Sequence, residues 1–171
     1  MNKEVKILID EAKIQNKVLE LAGQIKADYN NKPLVVIGVL NGAVIFLSDL
    51  VRKLDMDLEI GFMDISSYRE GTTSGELVLN KDINYNINGK DVLIVEDIID
   101  TGKTIKYLCE YLSAKGANSI KICACLSKPA RRETEVNIDY LGFEIEDKFV
   151  IGYGLDYAEK YRNLPYIGYL E

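Results

Sequence analysis

At 171 residues, with 47% apolar side chains and a mean hydropathy of −0.05, the chain is sized for one folded domain that buries roughly two-thirds of its unfolded surface. A formal charge of −6 and a pI near 4.9 exclude the basic surface of a duplex-binding protein, so an anionic ligand must be met by local cations. No apolar run approaches ~18 residues, and the start Met1-Asn2-Lys3-Glu4-Val5-Lys6 lacks a signal-peptide core, so a cytoplasmic location away from membranes is expected.

In chain order, Ile14, Val18, Leu21 and Ile25 recur at helical spacing after Asp10, an N-cap residue, and predict an amphipathic helix over residues 11–29. Residues 34–40 form an apolar strand. Asn41-Gly42 then turns the chain into a second helix with the stripe Ala43, Leu47, Leu50 and Leu54. Met56, Leu58, Ile60 and Phe62 alternate as a half-buried strand. Residues 65–76 follow as a loop with two glycines, five serine or threonine hydroxyls and an arginine, long enough to serve as a lid or to form a mobile hairpin tip.

The next stretch, Val92-Leu93-Ile94-Val95-Glu96-Asp97-Ile98-Ile99-Asp100-Thr101-Gly102-Lys103-Thr104, carries the chemistry. Its β-branched start suits a parallel strand covered on both faces, and it places Glu96 and Asp97 at the carboxyl end, where open α/β sheets bind ligands. The turn at 100–104 offers backbone N–H donors, two hydroxyls and an ammonium, and Gly102 lets the backbone approach an anion closely. Ile105, Leu108 and Leu112 then predict a helix whose N-terminus favours a phosphate. Gly102-Lys103-Thr104 matches the end of a nucleotide-triphosphate P-loop, but the glycine required five residues earlier is Asp97, and carboxylates there suit ribose hydroxyls or a divalent cation instead. A polar loop capping a helix explains Thr101 or Thr104 and leaves three clustered acids without a purpose.

Gly116 reads as the helix C-cap, and residues 119–126 return as strand. The repeated βαβ order gives an α/β, mostly parallel sheet flanked by helices, in a single domain over 1–171. Cys109, Cys123 and Cys125 are expected as small buried side chains, since no histidine is present to complete a zinc site and three thiols make no even disulfide set. The lack of histidine also removes Ser-His and Cys-His catalysis, leaving Asp, Glu, Lys or Tyr as general base.

The run from Val92 to Thr104 resembles the phosphoribosyl-diphosphate signature of purine phosphoribosyltransferases, in particular the hypoxanthine-guanine enzymes. The resemblance extends over roughly residues 34–170. It implies a type I fold with a core at about 10–130, a small C-terminal base-binding hood at about 128–171 and a flexible lid loop in which Ser67-Tyr68 closes over the diphosphate. It implies Mg²⁺ as cofactor and 5-phosphoribosyl 1-diphosphate and a 6-oxopurine as substrates. Glu96 and Asp97 then hold the ribose and, with Asp156, place the metal; Thr101, Gly102, Lys103 and Thr104 bind the 5′-phosphate; Asp100 is the general base. Lys128 matches the family lysine that reads the 6-oxo group. Phe149 and Val150 match the segment that stacks on and reads the purine, although periodicity alone puts Phe149 in the core. Arg162 matches a residue near the diphosphate, as do Asn41 and Gly42, where the family often has a lysine before the glycine. Family precedent is a homodimer or homotetramer.

Two further readings fit less of the chain: a phosphoribosyl-binding regulator of the same fold, against which the acid pI argues, and a xanthine-preferring transferase. An interaction protein would have no use for three acids, a phosphate turn and a lid at one sheet edge.

Overall fold

The chain opens with a strand that its periodicity does not announce, β1 (Val5–Ile9), in the computed structural model, which describes residues 4–67 and 75–170. Helix α1 (Glu11–Tyr29) follows as expected. Asp10 is extended and its Oδ1 accepts the Lys13 N–H at 2.9 Å, a cap contributing about 1 kcal/mol, and Ile14, Val18, Leu21 and Ile25 are buried.

Strand β2 (Leu34–Leu40) is buried along almost its whole length, as a strand covered on both faces must be. Helix α2 (Val44–Val51) is shorter than its apolar stripe: Leu47 and Leu50 are buried within it, whereas Ala43 and Leu54 are buried just beyond its ends. Strand β3 (Leu58–Ser67) begins after Met56, and Ile60 departs from the half-buried alternation at 45% exposed. β3 lies one strand from the sheet margin.

Ile65, Ser66 and Ser67, read as loop, instead continue β3 and pair antiparallel with β4 (Leu77–Lys81), Ser67 opposite Leu77. Their polar composition hides a ladder that needs only backbone groups. Tyr68 and the loop through Ser74 lie outside the described residues. β5 (Asp91–Ile99) likewise outruns its apolar core. Glu96 and Asp97 stand inside it rather than past its end, because Glu96 pairs with Ala124 and Ile98 with Leu126 of the next strand.

Helix α3 (Lys103–Ala114) ends at Gly116, φ +87°, whose N–H donates to the Ser113 carbonyl at 3.0 Å while the Ala117 N–H reaches Leu112 at 3.2 Å. Then come β6 (Ser119–Ser127), a 3₁₀ turn (Pro129–Arg131), β7 (Tyr140–Glu144), β8 (Val150–Ile151) and β9 (Ile167–Leu170).

Six strands form the main sheet in the order β4-β3-β2-β5-β6-β7, parallel throughout except at β4. Helices cover both faces. One core cluster joins α1 and α2 to Leu34, Val36, Leu93 and Val95; the other joins α3 to Val35, Ile37, Val92 and Ile94. A second sheet, β1-β9-β8, is antiparallel and ties the two ends of the chain together, Val5 opposite Leu170. Pairing across that sequence separation leaves no local signature. Cys123 and Cys125 are buried on one face as expected; Cys109 is only half-buried, because it lies on the flank of α3 rather than on its Ile105–Leu108–Leu112 stripe. Among the described residues no helix is long and apolar enough to cross a membrane.

Candidate active site

β2 and β5 are sheet neighbours whose chains leave in opposite directions, β2 into α2 on one face and β5 into α3 on the other. Their carboxyl ends therefore part into a crevice at the switch point, the ligand site of open α/β sheets. A cleft of about 240 Å³ lies there, lined by Val39, Leu40 and Ile65 on one side and by residues 96–102, Thr104 and Ile105 on the other.

Glu96 and Asp97 form its acidic wall. Glu96 is 7% exposed and its Oε1 accepts the Asp97 N–H at 3.2 Å, while Asp97 Oδ1 accepts the Ile98 N–H at 2.6 Å. Burial pushes both carboxyls above their ordinary values, Glu96 furthest because the neighbouring Asp97 charge adds to the effect; the Arg162 guanidinium pulls Asp97 the other way. Gly42 packs directly on Asp97, since a Cβ there would overlap Asp97 Oδ2. Asn41, reached through a cis Leu40–Asn41 peptide, is exposed at the rim.

One end of the cleft is the start of α3. Gly102, at φ +88°, is the N-cap, and a side chain there would meet the Thr134 carbonyl at 2.7 Å. The Thr101 carbonyl accepts the N–H groups of Glu133 and Thr134 at 2.9 and 3.0 Å, which ties the turn to the chain beyond β6. Thr101, Gly102 and Thr104 line the cleft; Lys103 does not, and its ammonium pairs with Glu133 at 2.5 Å.

Asp100 stands at the next corner. Arg131 Nε lies 3.0 Å from its Oδ1, off the line of a hydrogen bond, so that this covered oxygen is paired by charge while no donor hydrogen points at it. Arg131 also reaches Asp147 Oδ1 at 3.6 Å, and the ammonium of Lys128, a residue only 7% exposed, stands 3.9 Å from the same oxygen. Ile99 pairs with Ser127, which brings Asp100 and Lys128 to adjacent strand ends, and the Lys128 N–H donates to the Ile99 carbonyl at 2.9 Å.

Sequence reasoning passed over the residue that holds this corner together. Arg132 donates from Nε to the Asp100 carbonyl at 3.1 Å and from NH2 to Ser127 Oγ at 2.8 Å. Pro129, which forces a tight turn directly after β6, is the local signal that the following arginines fold back on the sheet edge.

Phe149 is not in the core. It is 61% exposed and meets Tyr157 edge-on, with ring centroids 5.8 Å apart, while the adjacent Val150 is buried in β8. Periodicity puts Phe149 in the core, but β8 begins only at Val150, so Phe149 precedes the strand and lies outside its buried residues. Asp156 accepts the Glu159 N–H at 2.9 Å and pairs with Arg162 at 3.3 Å; Arg162 also donates to the Gly154 carbonyl at 2.8 Å. A Cβ on Gly154 would overlap the Gly42 carbonyl, so this segment abuts the turn after β2. Ser67, the first residue of the expected lid dipeptide, is exposed at the end of β3.

Among the described residues no three Asp, Glu, His or Cys side chains converge on a point, so Glu96, Asp97 and Asp156 make no closed metal cage. Mg²⁺ rarely has one: it keeps several waters and is held by one or two carboxylates plus substrate phosphates. The buried, mutually repelling pair Glu96–Asp97 is a donor set of that kind.

A parallel sheet with a ribose-suited acid pair, a phosphate-suited helix start and a carboxylate at one switch point defines the class: a type I phosphoribosyltransferase. The model of the phosphoribosyl transferase domain family matches residues 5–158. The hypoxanthine-guanine phosphoribosyltransferase of Bacillus subtilis is 49% identical over 167 residues, 97% of this chain and 93% of its own length. A Bacillus anthracis hypoxanthine-guanine phosphoribosyltransferase crystal structure superimposes with a TM-score of 0.94 at 45% identity, covering 98% of this chain and 100% of that one. The bifunctional protein TilS/HprT of Listeria monocytogenes is 48% identical over 167 residues, and there the chain spans only 26% of the relative's length. The chain belongs to the hypoxanthine-guanine phosphoribosyltransferase family.

Proposed function

We propose that this protein transfers the 5-phosphoribosyl group of 5-phosphoribosyl 1-diphosphate to N9 of hypoxanthine or guanine, giving IMP or GMP and diphosphate, a purine-salvage reaction. The observation that carries the reading is one 240 Å³ cleft holding a helix start, a buried acid pair and Asp100 side by side.

The substrate's 5′-phosphate sits on the N–H groups at the start of α3, where helix geometry leaves donors without intrahelical partners. The ribose hydroxyls bind Glu96 and Asp97, a buried acid pair whose mutual repulsion a divalent cation would relieve. Mg²⁺ held there would supply charge neutralisation for the leaving diphosphate. Gly42 and Asn41 offer backbone contacts to the diphosphate, and Asp156 and Arg162 flank it, the guanidinium suiting a forked contact with two oxygens.

The purine lies between Phe149 and the strand ends, with backbone groups at Val150 reading its edge. Lys128 donates to the 6-oxo group, which selects against adenine, whose 6-amino group offers no acceptor. As N9 bonds to the anomeric carbon, the bond to the diphosphate oxygen breaks and its electron pair leaves with the diphosphate. Asp100 takes the N7 proton. Because the sugar carries carbocation character at that point, closure of the Ser67–Tyr68 loop over the site would keep water from hydrolysing it. A homodimer or homotetramer in the cytoplasm follows the family pattern.

The test is direct: phosphoribosyl diphosphate, Mg²⁺ and each of hypoxanthine, guanine, xanthine and adenine, with nucleotide formation followed by absorbance. Turnover with the first two supports the reading. A preference for xanthine moves the specificity, and no turnover with any base favours a regulatory phosphoribosyl-binding protein.

A further inference from the structure

Resting on the proposed transfer reaction, we infer that Tyr153 and Asp49, neither of which lines the cleft, are positioning residues that hold the purine segment and the diphosphate turn at a fixed separation. Tyr153 lies between Gly152 and Gly154 in the stretch that follows Phe149 and Val150. It is a non-glycine residue in the left-handed region, φ +52°, an uncommon backbone state that persists only where its surroundings over-determine it.

Its two side-chain partners, Phe46 and Asp49, are both on α2. The Tyr153 ring, 3% exposed, tilts against Phe46 with centroids 6.4 Å apart, and its O–H donates to Asp49 Oδ2 at 2.7 Å. That oxygen also accepts from Gln15 Nε2 of α1 at 3.0 Å, and Arg52 NH2 donates to Oδ1 at 2.6 Å. Burial alone would raise the Asp49 carboxyl, but these three donors outweigh it and hold it below its ordinary value, so the acceptor stays charged.

The strut has a consequence at both ends. The Tyr153 N–H donates to the Leu164 carbonyl and the Gly154 N–H to the Arg162 carbonyl, each at 2.9 Å, so the chain that carries Arg162 moves with Tyr153. Gly154 packs with no room for a side chain against the carbonyl of Gly42, and Gly42 packs in the same way against Asp97. α2 begins two residues after Gly42. Asp49 therefore fixes, from one helix, the distance between the turn at its own start and the segment that holds the base. A rigid scaffold behind contacting groups is what keeps two substrates in reacting geometry.

Tyr153→Phe deletes one hydroxyl and leaves the ring, so it isolates the strut from packing. The expected result is a rise in KM for both phosphoribosyl diphosphate and hypoxanthine, roughly five-fold for each, the equivalent of one hydrogen bond, with kcat changed less than about two-fold. Asp49→Asn, which keeps an acceptor for the O–H, should retain both KM values to within about two-fold, while Asp49→Ala should raise both. A residue that merely stabilises the fold would lower the melting temperature without moving both KM values together. Unchanged KM values in Tyr153→Phe, or a change for one substrate only, overturn the inference. If Tyr153→Phe does not fold, the contrast between Asp49→Asn and Asp49→Ala decides it. Wild-type protein that makes no nucleotide would instead sink the proposed reaction, a separate outcome.

Discussion

Gly42 and Asp97 fit together without space for one more carbon: a Cβ on Gly42 would overlap the Asp97 carboxylate. The turn after β2 and the acid of β5 are in this way a single surface, built from two neighbouring strands at the point where their chains part.

Gly42→Ala should consequently disable the sugar-diphosphate side of the site more than the fold. Forcing a methyl into a packed contact costs about 1–3 kcal/mol, and here the yielding group is Asp97 itself. The expected outcome is a melting temperature lowered by several degrees and a KM for phosphoribosyl diphosphate raised at least ~10-fold, consistent with a loss of one to two polar contacts. Steady-state kinetics and a thermal melt check both parts.

Lys128→Ala should weaken discrimination between hypoxanthine and adenine. A site that hydrogen-bonds a substrate group rejects analogues that lack it, so removing the ammonium is expected to lower the ratio of specificity constants at least ~10-fold. If that ratio does not move, Lys128 is not the reader of the 6-oxo group.

Glu96→Gln should stabilise the ligand-free protein while impairing it as an enzyme. Burial, reinforced by the charge of Asp97, raises the folded-state carboxyl above its unfolded value, so Glu96 favours folding when protonated and loses that contribution as pH rises through the raised value. A neutral isostere removes the loss. We expect a melting temperature higher by roughly 2–4 °C near pH 7, the shift for about 1 kcal/mol in a domain of this size, and a smaller gain at pH 5. Equal melting curves at both pH values would contradict it.

The acid limb of stability has the opposite sign. Burial alone would raise Asp82, but hydrogen bonds from Lys115, Tyr111 and the Ile83 N–H outweigh it and hold the carboxyl below its ordinary 3.8; Asp91 is lowered by Ser119 and Asn118. A depressed folded-state value contributes stability above the unfolded value and loses it as pH falls through the folded one. The melting temperature should thus drop below ~pH 4, the ordinary range for Asp. Asp82→Asn should melt lower at neutral pH and show a shallower acid fall.

What could be read from residues alone follows from how local the signal is. The run 92–104 was legible because strand, acids, glycine and helix start are consecutive, and α1 because its cap and stripe lie within one segment. β1 was not, since Val5–Ile9 becomes a strand only by pairing with Ile167–Leu170. Polar residues concealed the continuation of β3 through Ser67 and of β5 through Glu96 and Asp97, where backbone pairing overrides side-chain character. Arg132, Asp147 and Tyr153 have no motif: each is defined by a partner far along the chain or across the sheet edge. Phe149, placed in the core by periodicity, is exposed and packs edge-on against Tyr157, which leaves an aromatic face open to stack on a flat ligand.

The central claim, that Asp100 accepts the purine proton, is tested most directly by Asp100→Asn. The side chain keeps its size beside Arg131, so phosphoribosyl diphosphate and hypoxanthine should bind with dissociation constants within a few-fold of wild type. Turnover should fall by ~10²–10⁴, the usual worth of a positioned general base. An Asp100→Asn protein that forms IMP at the wild-type rate would contradict the account.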